Sequence, residues 1–424
     1  LVYWSERRDA RRIPMSTEKE SPPPTQHALQ QYAPPPESAR QGMALCLSGG
    51  GFRALLFHLG AARRLNELGL LSRLRSVSSV SGGSLLAAKL GDSAGIESGA
   101  LRLLDWEDKV ARPLRRLAKT NIRTPAILQR LLPWNWFRDS TGVEALARRY
   151  QRDLTAIALG RLPERPDFLF CATDMAFGVN WTFARGEIGD YQAGYATPDE
   201  GFPLARAVAA SSCFPPVFNP LPIDLDPGDL KGGKAPRGPD RDALIRGLRL
   251  TDGGNYDNLG LEPVWKSHET ILCSDGGLVF DSETDHGLFW RLKRYLAIID
   301  NQSLALRKRW LIGGFISGLF EGTYWGVASA VASYEVDVSP AYSKDFARGV
   351  IGRIRTDFDA FSDAEISVLE NHGYTVAEAA LQRHMPQLLP DPLPPFLLPH
   401  RWIPEDDARP LLRGSHKSTL LGRF

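Results

Sequence analysis

The chain begins with about forty charged and proline-rich positions in which no apolar periodicity develops, and the texture changes at Met43. Met43-Ala44-Leu45-Cys46-Leu47 is an unbroken apolar run that ends in Ser48-Gly49-Gly50-Gly51, the pattern of a buried strand entering a glycine loop. Leu55, Leu56, Leu59, Ala62, Leu65 and Leu68 then recur at helical spacing and predict a helix over Phe52 to Leu68, which Gly69 is placed to end. A short β-prone run, Ser76 to Val80, leads into Ser81-Gly82-Gly83-Ser84 and a second apolar helix from Leu85. Further buried strands are predicted at Phe168–Thr173, Leu248–Thr251 and Thr270–Cys273. Strands alternating with helices in this way predict an α/β fold: a three-layer α/β/α arrangement with a mainly parallel central sheet, a helical insertion and a C-terminal extension.

Between these elements the composition shifts. Residues 1–41 hold two proline triplets and read as an extended or disordered leader. Its start, LVYWSERRDARRIPMSTEKE, has charges where a signal peptide needs an apolar segment, and Met15 looks like a more usual start. Residues 42–385 form the expected main domain. Within it, 102–152 carry twelve Lys/Arg against five Asp/Glu and read as a helical basic insertion, with Trp134 and Trp136 in its second half. Such a segment is either a cap facing an anionic membrane or a solvated helix face whose aromatic residues pack on the core. Residues 225–243 read as a surface loop. Leu311 to Tyr334 is the most apolar run, interrupted by Glu321, and is expected to be a buried helical hairpin rather than a second contact surface. Residues 386–424 open with too many prolines for regular structure. No run reaches the roughly 18 apolar residues that span a bilayer, so the expected location is cytoplasmic, with contact at the inner face of the membrane as an option.

Composition narrows the function. Of 424 residues, 43% are hydrophobic and 24% charged, which excludes disorder as the main state. A net charge of +2 gives no field that calls for nucleic acid. The four cysteines, Cys46, Cys171, Cys213 and Cys273, lie in apolar contexts without CxxC spacing, so they read as buried thiols, and neither a disulfide scaffold nor a zinc site is expected.

Three short motifs carry chemistry. In Ser79-Val80-Ser81-Gly82-Gly83, small neighbours let Ser81 occupy a sharp strand-to-helix turn, and the helix that follows aims its N–H groups and positive dipole end at the hydroxyl. In Ser48-Gly49-Gly50-Gly51-Phe52-Arg53, consecutive glycines expose backbone N–H groups to an anion, either a phosphate or the oxyanion of acyl transfer. The sixth position is Ala54, no acidic residue ends the next strand and no Gly-Lys-Ser/Thr follows, so the dinucleotide and P-loop readings fail and the oxyanion reading stands. In Thr251-Asp252-Gly253-Gly254, Asp252 sits at a strand end before a tight turn. A second Asp-Gly-Gly occurs at Asp275-Gly276-Gly277. His58 is the one histidine near these motifs in sequence, and packing or capping is the simpler role for it.

Taken in order, Gly49-Gly50-Gly51-Phe52-Arg53, Ser79-Val80-Ser81-Gly82-Gly83 and Asp252-Gly253-Gly254 resemble the patatin-like phospholipase family, with its glycine-rich oxyanion loop, Gly-x-Ser-x-Gly elbow and Asp-Gly-Gly/Ala motif. The run Ala209 to Pro220 looks like the family's stretch before the aspartate strand, and the resemblance spans about Met43 to Gly277. Ser79 stands where the elbow has its first glycine, and Ala54 where the loop has its last. The resemblance implies a Ser81–Asp252 dyad without histidine. Gly49, Gly50, Gly51 and Arg53 would form the oxyanion site, Ser79 and Gly83 the elbow, and Gly253 and Gly254 the turn after the base. Asp252 is preferred over Asp275 because Gly254 to Gly260 continues the family-like pattern. The implied reaction is hydrolysis of carboxylic esters in membrane phospholipids or related acyl lipids, with no metal or cofactor. Two other readings stay open: a membrane-degrading effector switched on by cyclic nucleotides in antiphage defence, as in some bacterial relatives, and a non-catalytic lipid-binding protein. Oligomeric state is not legible.

Overall fold

The computed structural model describes residues 40–94, 101, 103–131, 141–215, 217–277, 279, 280, 284 and 287–418. Apart from Arg40 and Gln41, the expected leader lies outside them, as do Trp134 and Trp136.

Among the described residues ten strands form one sheet. They are β1 (Met43–Leu47), β2 (Leu74–Val80), β3 (Asp167–Asp174), β4 (Val179–Phe183), β5 (Ile188–Asp190), β6 (Gly194–Ala196), β7 (Leu221–Pro222), β8 (Arg249–Asp252), β9 (Thr270–Asp275) and β10 (Glu321–Gly326). The order is β10-β9-β1-β2-β3-β4-β5-β6, and β10 through β3 run parallel. β4 to β6 continue as an antiparallel meander. β8 also departs from the parallel pattern: it pairs antiparallel with β3 and carries β7 on its other side.

Side chains of the central strands feed two separate cores, as the alternation of a pleated strand requires. Met43, Leu45 and Leu47 of β1 enter the larger core, whereas Ala44 and Cys46 enter a smaller one on the opposite face. β9 divides the same way, with Leu272 on the first face and Ile271 and Cys273 on the second. The larger core is closed by α1 (Gly51–Glu67) and α2 (Gly82–Ser93). The helical insertion adds a π-helical turn, Glu107–Ala111, and then α3 (Arg112–Ala118), α4 (Arg123–Leu131) and α5 (Thr141–Asp153). α6 (Leu204–Ser212) packs on α5, and α7 (Pro239–Arg246) and the one-turn α8 (Gly254–Asp257) flank β8 in the chain. The second face is covered by α9 (Leu288–Ile316) through Leu304, Leu311 and Phe315. α10 (Asp363–His384), opened by a Ser362–Glu365 capping box, packs along α1, and α11 (Glu405–Leu411) lies in the C-terminal segment.

Three expectations change. No helical hairpin forms over Leu311–Tyr334. α9 ends at Ile316, Gly318 takes a φ of 68°, and the chain returns as β10 on the open edge of β9. Thr323, Tyr324 and Trp325 favour a strand, and pairing with β9 satisfies its backbone groups. The surface loop is shorter than 225–243, because Pro239 starts α7 at the first helical position. The basic insertion is charge-compensated over much of its length. Arg115 donates to Glu370 and Glu107, each at 2.7 Å, Arg112 pairs with Asp108, and Arg123 with Asp357, while Leu114, Leu117 and Ile122 are buried in the core.

Candidate active site

The sheet itself brings the serine and aspartate motifs together. β2 occupies one edge of β3 as far as Val80, opposite Cys171. β8 takes up that edge from Ala172 and runs the other way, ending in Asp252. The two strands therefore meet end to end, with Ser81 leaving one tip and Asp252 closing the other.

Ser81 has φ 50° and ψ −116°, a conformation that costs a non-glycine residue on the order of 1–3 kcal/mol. Its surroundings hold it there. A Cβ on Gly82 would lie 2.1 Å from the Gly51 carbonyl oxygen, and one on Gly83 2.4 Å from that of Leu47, so only glycine fits either place. The Ser81 amide donates to the Ser211 hydroxyl at 3.0 Å, and Ser84 links Ser211 (2.9 Å) to Ser79 (3.1 Å). Ser79 in turn donates to the Leu169 carbonyl, so the residue standing in place of an elbow glycine is hydrogen-bonded into the sheet.

Asp252 is buried. Its Oδ1 accepts the Gly254 amide at 2.8 Å, while Oδ2 has no partner of full hydrogen-bond geometry among the described residues. Burial pushes this carboxyl up to about 7; the Gly254 amide and the neighbouring Ser81 hydroxyl oppose the rise, and the charge of Asp300 adds to it. Gly253 is required next, since a Cβ there would lie 2.4 Å from the Cys171 carbonyl oxygen.

The glycine loop lies beside Ser81. Gly50 (φ 137°) and Gly51 (φ 57°) both use left-handed backbone, and a Cβ on either would come within 2.6 Å of a carbonyl oxygen, that of Gly276 or Asp357. Both line the cavity with Ser81 and Asp252. Gly49 differs, because its amide already donates to the Asn258 carbonyl at 3.0 Å. Arg53 is also displaced from its expected place. Its guanidinium is fully buried and donates to the carbonyls of Gly276, Gly352 and Ile354, and burial lowers it to about 10. It braces the loop from behind and does not line the cavity.

The cavity encloses about 180 Å³. Phe214, Phe218, Phe280 and Leu304 give it apolar wall, and Arg123 and Asp357 meet at its margin as an ion pair. Asp300 and Asn301, a stretch without an evident role in the sequence, also line it, as does Asn258. Of these, Asn258 lay inside a family-like run, as did Ser211, which holds the Ser81 amide; Arg123 and Asp357 gave no sequence signal.

The remaining sequence candidates serve structure. Asp275 is held by Lys308 at 2.5 Å, the Tyr324 hydroxyl at 2.6 Å and the Gly277 amide at 2.8 Å. Burial alone would raise its carboxyl, but these partners, Lys308 foremost, bring it down to about 2. His58 donates from Nε2 to the Ser48 carbonyl and accepts at Nδ1 from Ser274, and burial lowers it to about 4. The four cysteines are buried free thiols.

A family model described as patatin-like phospholipase matches residues 45–265, from within β1 to beyond the Asp-Gly-Gly turn. The chain belongs to the patatin-like phospholipase family. Its central sheet, parallel from β10 to β3, with flanking helices is the patatin fold. Among solved structures, human GIVD cytosolic phospholipase A2 is similar at 14% identity with a TM-score of 0.45, over 86% of this chain and 65% of that one. The same human enzyme in complex with methyl γ-linolenyl fluorophosphonate is similar at 15% identity with a TM-score of 0.45, over 83% of this chain and 59% of that one. VipD from Legionella pneumophila is similar at 15% identity with a TM-score of 0.30, over 83% and 68%. The chain thus spans about two thirds or less of the length of the human enzyme it resembles. A search of curated proteins gives no match. Among the described residues no helix of this patatin-like chain is long and apolar enough to cross a membrane.

Proposed function

We propose that this chain hydrolyses carboxylic ester bonds of phospholipids or related acyl lipids through a Ser81–Asp252 dyad. The observation that carries the reading is Ser81, strained on its turn, facing a buried aspartate held near neutrality at the end of a partly apolar cavity. Ionised Asp252 takes the Ser81 proton as Oγ attacks the ester carbonyl. The resulting oxyanion is received by the backbone N–H groups of Gly50 and Gly51, a narrower set than the glycine motif suggested; one such donor is typically worth about 2.7–4 kcal/mol. Asp252 returns the proton to the leaving alcohol. Water then gives a proton to Asp252 as its oxygen attacks the acyl carbonyl, and Asp252 passes that proton to Ser81 Oγ as the acyl–enzyme bond breaks, which releases the acid and restores Ser81.

We further propose that 42–385 is the catalytic domain and that the insertion over 102–152 frames the mouth of its site, since Arg123 of α4 lines the cavity. No observation favours the nucleotide-switched or non-catalytic readings.

A fluorophosphonate probe tests the dyad. Wild type should be labelled covalently, and Ser81→Ala should not be. An unlabelled but folded wild type would overturn the enzyme reading.

A further inference from the structure

α9 contributes Ala297, Asp300, Asn301 and Leu304 to the wall of the cavity. Asp300 is the one acidic residue of this helix. Its neighbours at helical spacing, Leu296, Ala297, Ser303 and Leu304, are neutral, so α9 offers it no ion pair one turn away. Among the described residues Asp300 makes no hydrogen bond or ion pair. Desolvation raises its carboxyl, and no partner offsets the rise. The other charges of the described wall are accounted for. Arg123 pairs with Asp357, and Asp252 is the proposed base. The wall therefore carries a carboxylate that its own cation does not balance.

An aromatic side chain of the same cavity points to the same kind of ligand. Phe214 lines the cavity, is 52% exposed, and among the described residues has no ring or cation against it. Phe280 differs, because the Arg294 guanidinium already lies 4.0 Å from its ring centre. A carboxylate and an open aromatic face both attract positive charge, and the apolar wall of Phe218 and Leu304 suits the carbon groups around an ammonium nitrogen. An alkylammonium group meets all three demands at once. In an acyl lipid the acyl chain is hydrocarbon, so such a cation belongs to the alcohol side of the ester.

We propose that Asp300, together with Phe214, is a specificity-determining residue that favours acyl esters carrying an alkylammonium group on the alcohol side. The inference deepens the proposed ester hydrolysis and rests on it. The charge of Asp300 also reaches Asp252 and opposes its ionisation. An ammonium seated at Asp300 cancels that field, so a cationic substrate favours the ionised base as it binds. Simple amino-alcohol esters and zwitterionic phospholipid headgroups both present this cation.

Paired soluble substrates test this, each pair differing by one positive charge. Butyrylcholine is compared with its isostere in which a quaternary carbon replaces the nitrogen, and dihexanoylphosphatidylcholine with dihexanoylphosphatidylglycerol. In wild type, kcat/KM should favour the cationic member of at least one pair by about threefold or more, the scale of an exposed charge pair with a cation–π contact. Asp300→Asn should cut that preference at least about threefold, and Asp300→Glu, which keeps the charge, should retain most of it. Salt should erode the preference of wild type but not that of Asp300→Asn. Loss in the first pair assigns the cation to simple amino-alcohol esters, and loss in the second to a phospholipid headgroup. No preference in wild type, a preference that Asp300→Asn leaves unchanged, or an equal loss from Asp300→Glu overturns the proposal. Binding of hexyltrimethylammonium to the Ser81→Ala chain supplies a reading without turnover. Asp300→Asn in that background should weaken it at least about threefold, and unchanged binding overturns the proposal. Failure of wild type to hydrolyse any ester would overturn the dyad reading instead, and the ammonium binding would still decide the role of Asp300.

Discussion

Arg53 and Gly50 are coupled through one carbonyl. The Nε and Nη2 groups of Arg53 hold the Gly276 oxygen at 3.1 and 2.9 Å, and that oxygen sits 2.6 Å from where a Cβ on Gly50 would be. The guanidinium thus fixes the loop that places Gly50 and Gly51 along the cavity. Arg53→Lys keeps a charge but cannot reproduce the two-pronged grip or reach Gly352 and Ile354 together. Each buried carbonyl left without a donor costs about 1–3 kcal/mol. Arg53→Lys should therefore lower the melting temperature and the turnover together. A variant of wild-type stability with selectively reduced turnover would show that the cation acts on the oxyanion itself.

Asp252 predicts a pH profile. With its carboxyl near 7, the ionised base becomes available as pH rises through that value, so kcat/KM for a soluble ester should climb between about pH 6 and 8. Stability should move the other way. The folded protein keeps a proton that the unfolded chain, with an ordinary carboxyl near 4, releases between about pH 4 and 7, so stability falls across that window. Asp252→Asn removes this penalty. It should abolish hydrolysis yet melt higher than wild type at pH 8, with the gap closing toward pH 4. A variant that melts lower than wild type at pH 8 would contradict the buried-charge argument.

The two Asp-Gly-Gly turns should separate cleanly. Asp275→Asn leaves Lys308 without its carboxylate in a largely buried setting, a loss of about 2 kcal/mol or more. Denaturant melts should show that loss, while the kcat of the remaining folded fraction stays within a few-fold of wild type. Loss of chemistry at unchanged stability would instead give Asp275 the role of base.

Ser211 should act as a positioning residue. Its hydroxyl accepts the Ser81 amide at 3.0 Å and bonds Ser84. Ser211→Ala should relax the Ser81 turn, lowering kcat about tenfold or more with little change in KM, on the scale of one buried hydrogen bond. Ser211→Thr, which restores a hydroxyl, should recover part of the rate. A change confined to KM would place Ser211 in substrate binding.

Sequence by itself determined the motifs and the parallel half of the sheet. Met43–Leu47 is a wholly apolar run, and Ser76–Val80 and Thr270–Cys273 are short runs of apolar and small hydroxyl residues without a charge, as a strand buried on both faces needs. The glycines around Ser81 and after Asp252 were legible because only a missing side chain lets backbone approach within 2–3 Å of a carbonyl oxygen, as at Gly82, Gly83 and Gly253. The tertiary structure decided what those residues touch. That β8 runs antiparallel and meets β2 on one edge of β3 depends on two pairings with β3, across about 90 and 80 residues, which no local pattern carries. Asp252 and Asp275 have the same local sequence, and Lys308 and Tyr324, brought from distant elements, separate a carboxyl near 2 from one near 7. The glycine loop promised three amides and an arginine, yet Asn258 already takes the Gly49 amide and the carbonyls behind the loop take Arg53. The run from Leu311 turned back into a strand because β9 offered an open edge. Burial, charge pairing and the free edge of a sheet belong to the assembled molecule, and they chose among residues that the sequence presents as equivalent.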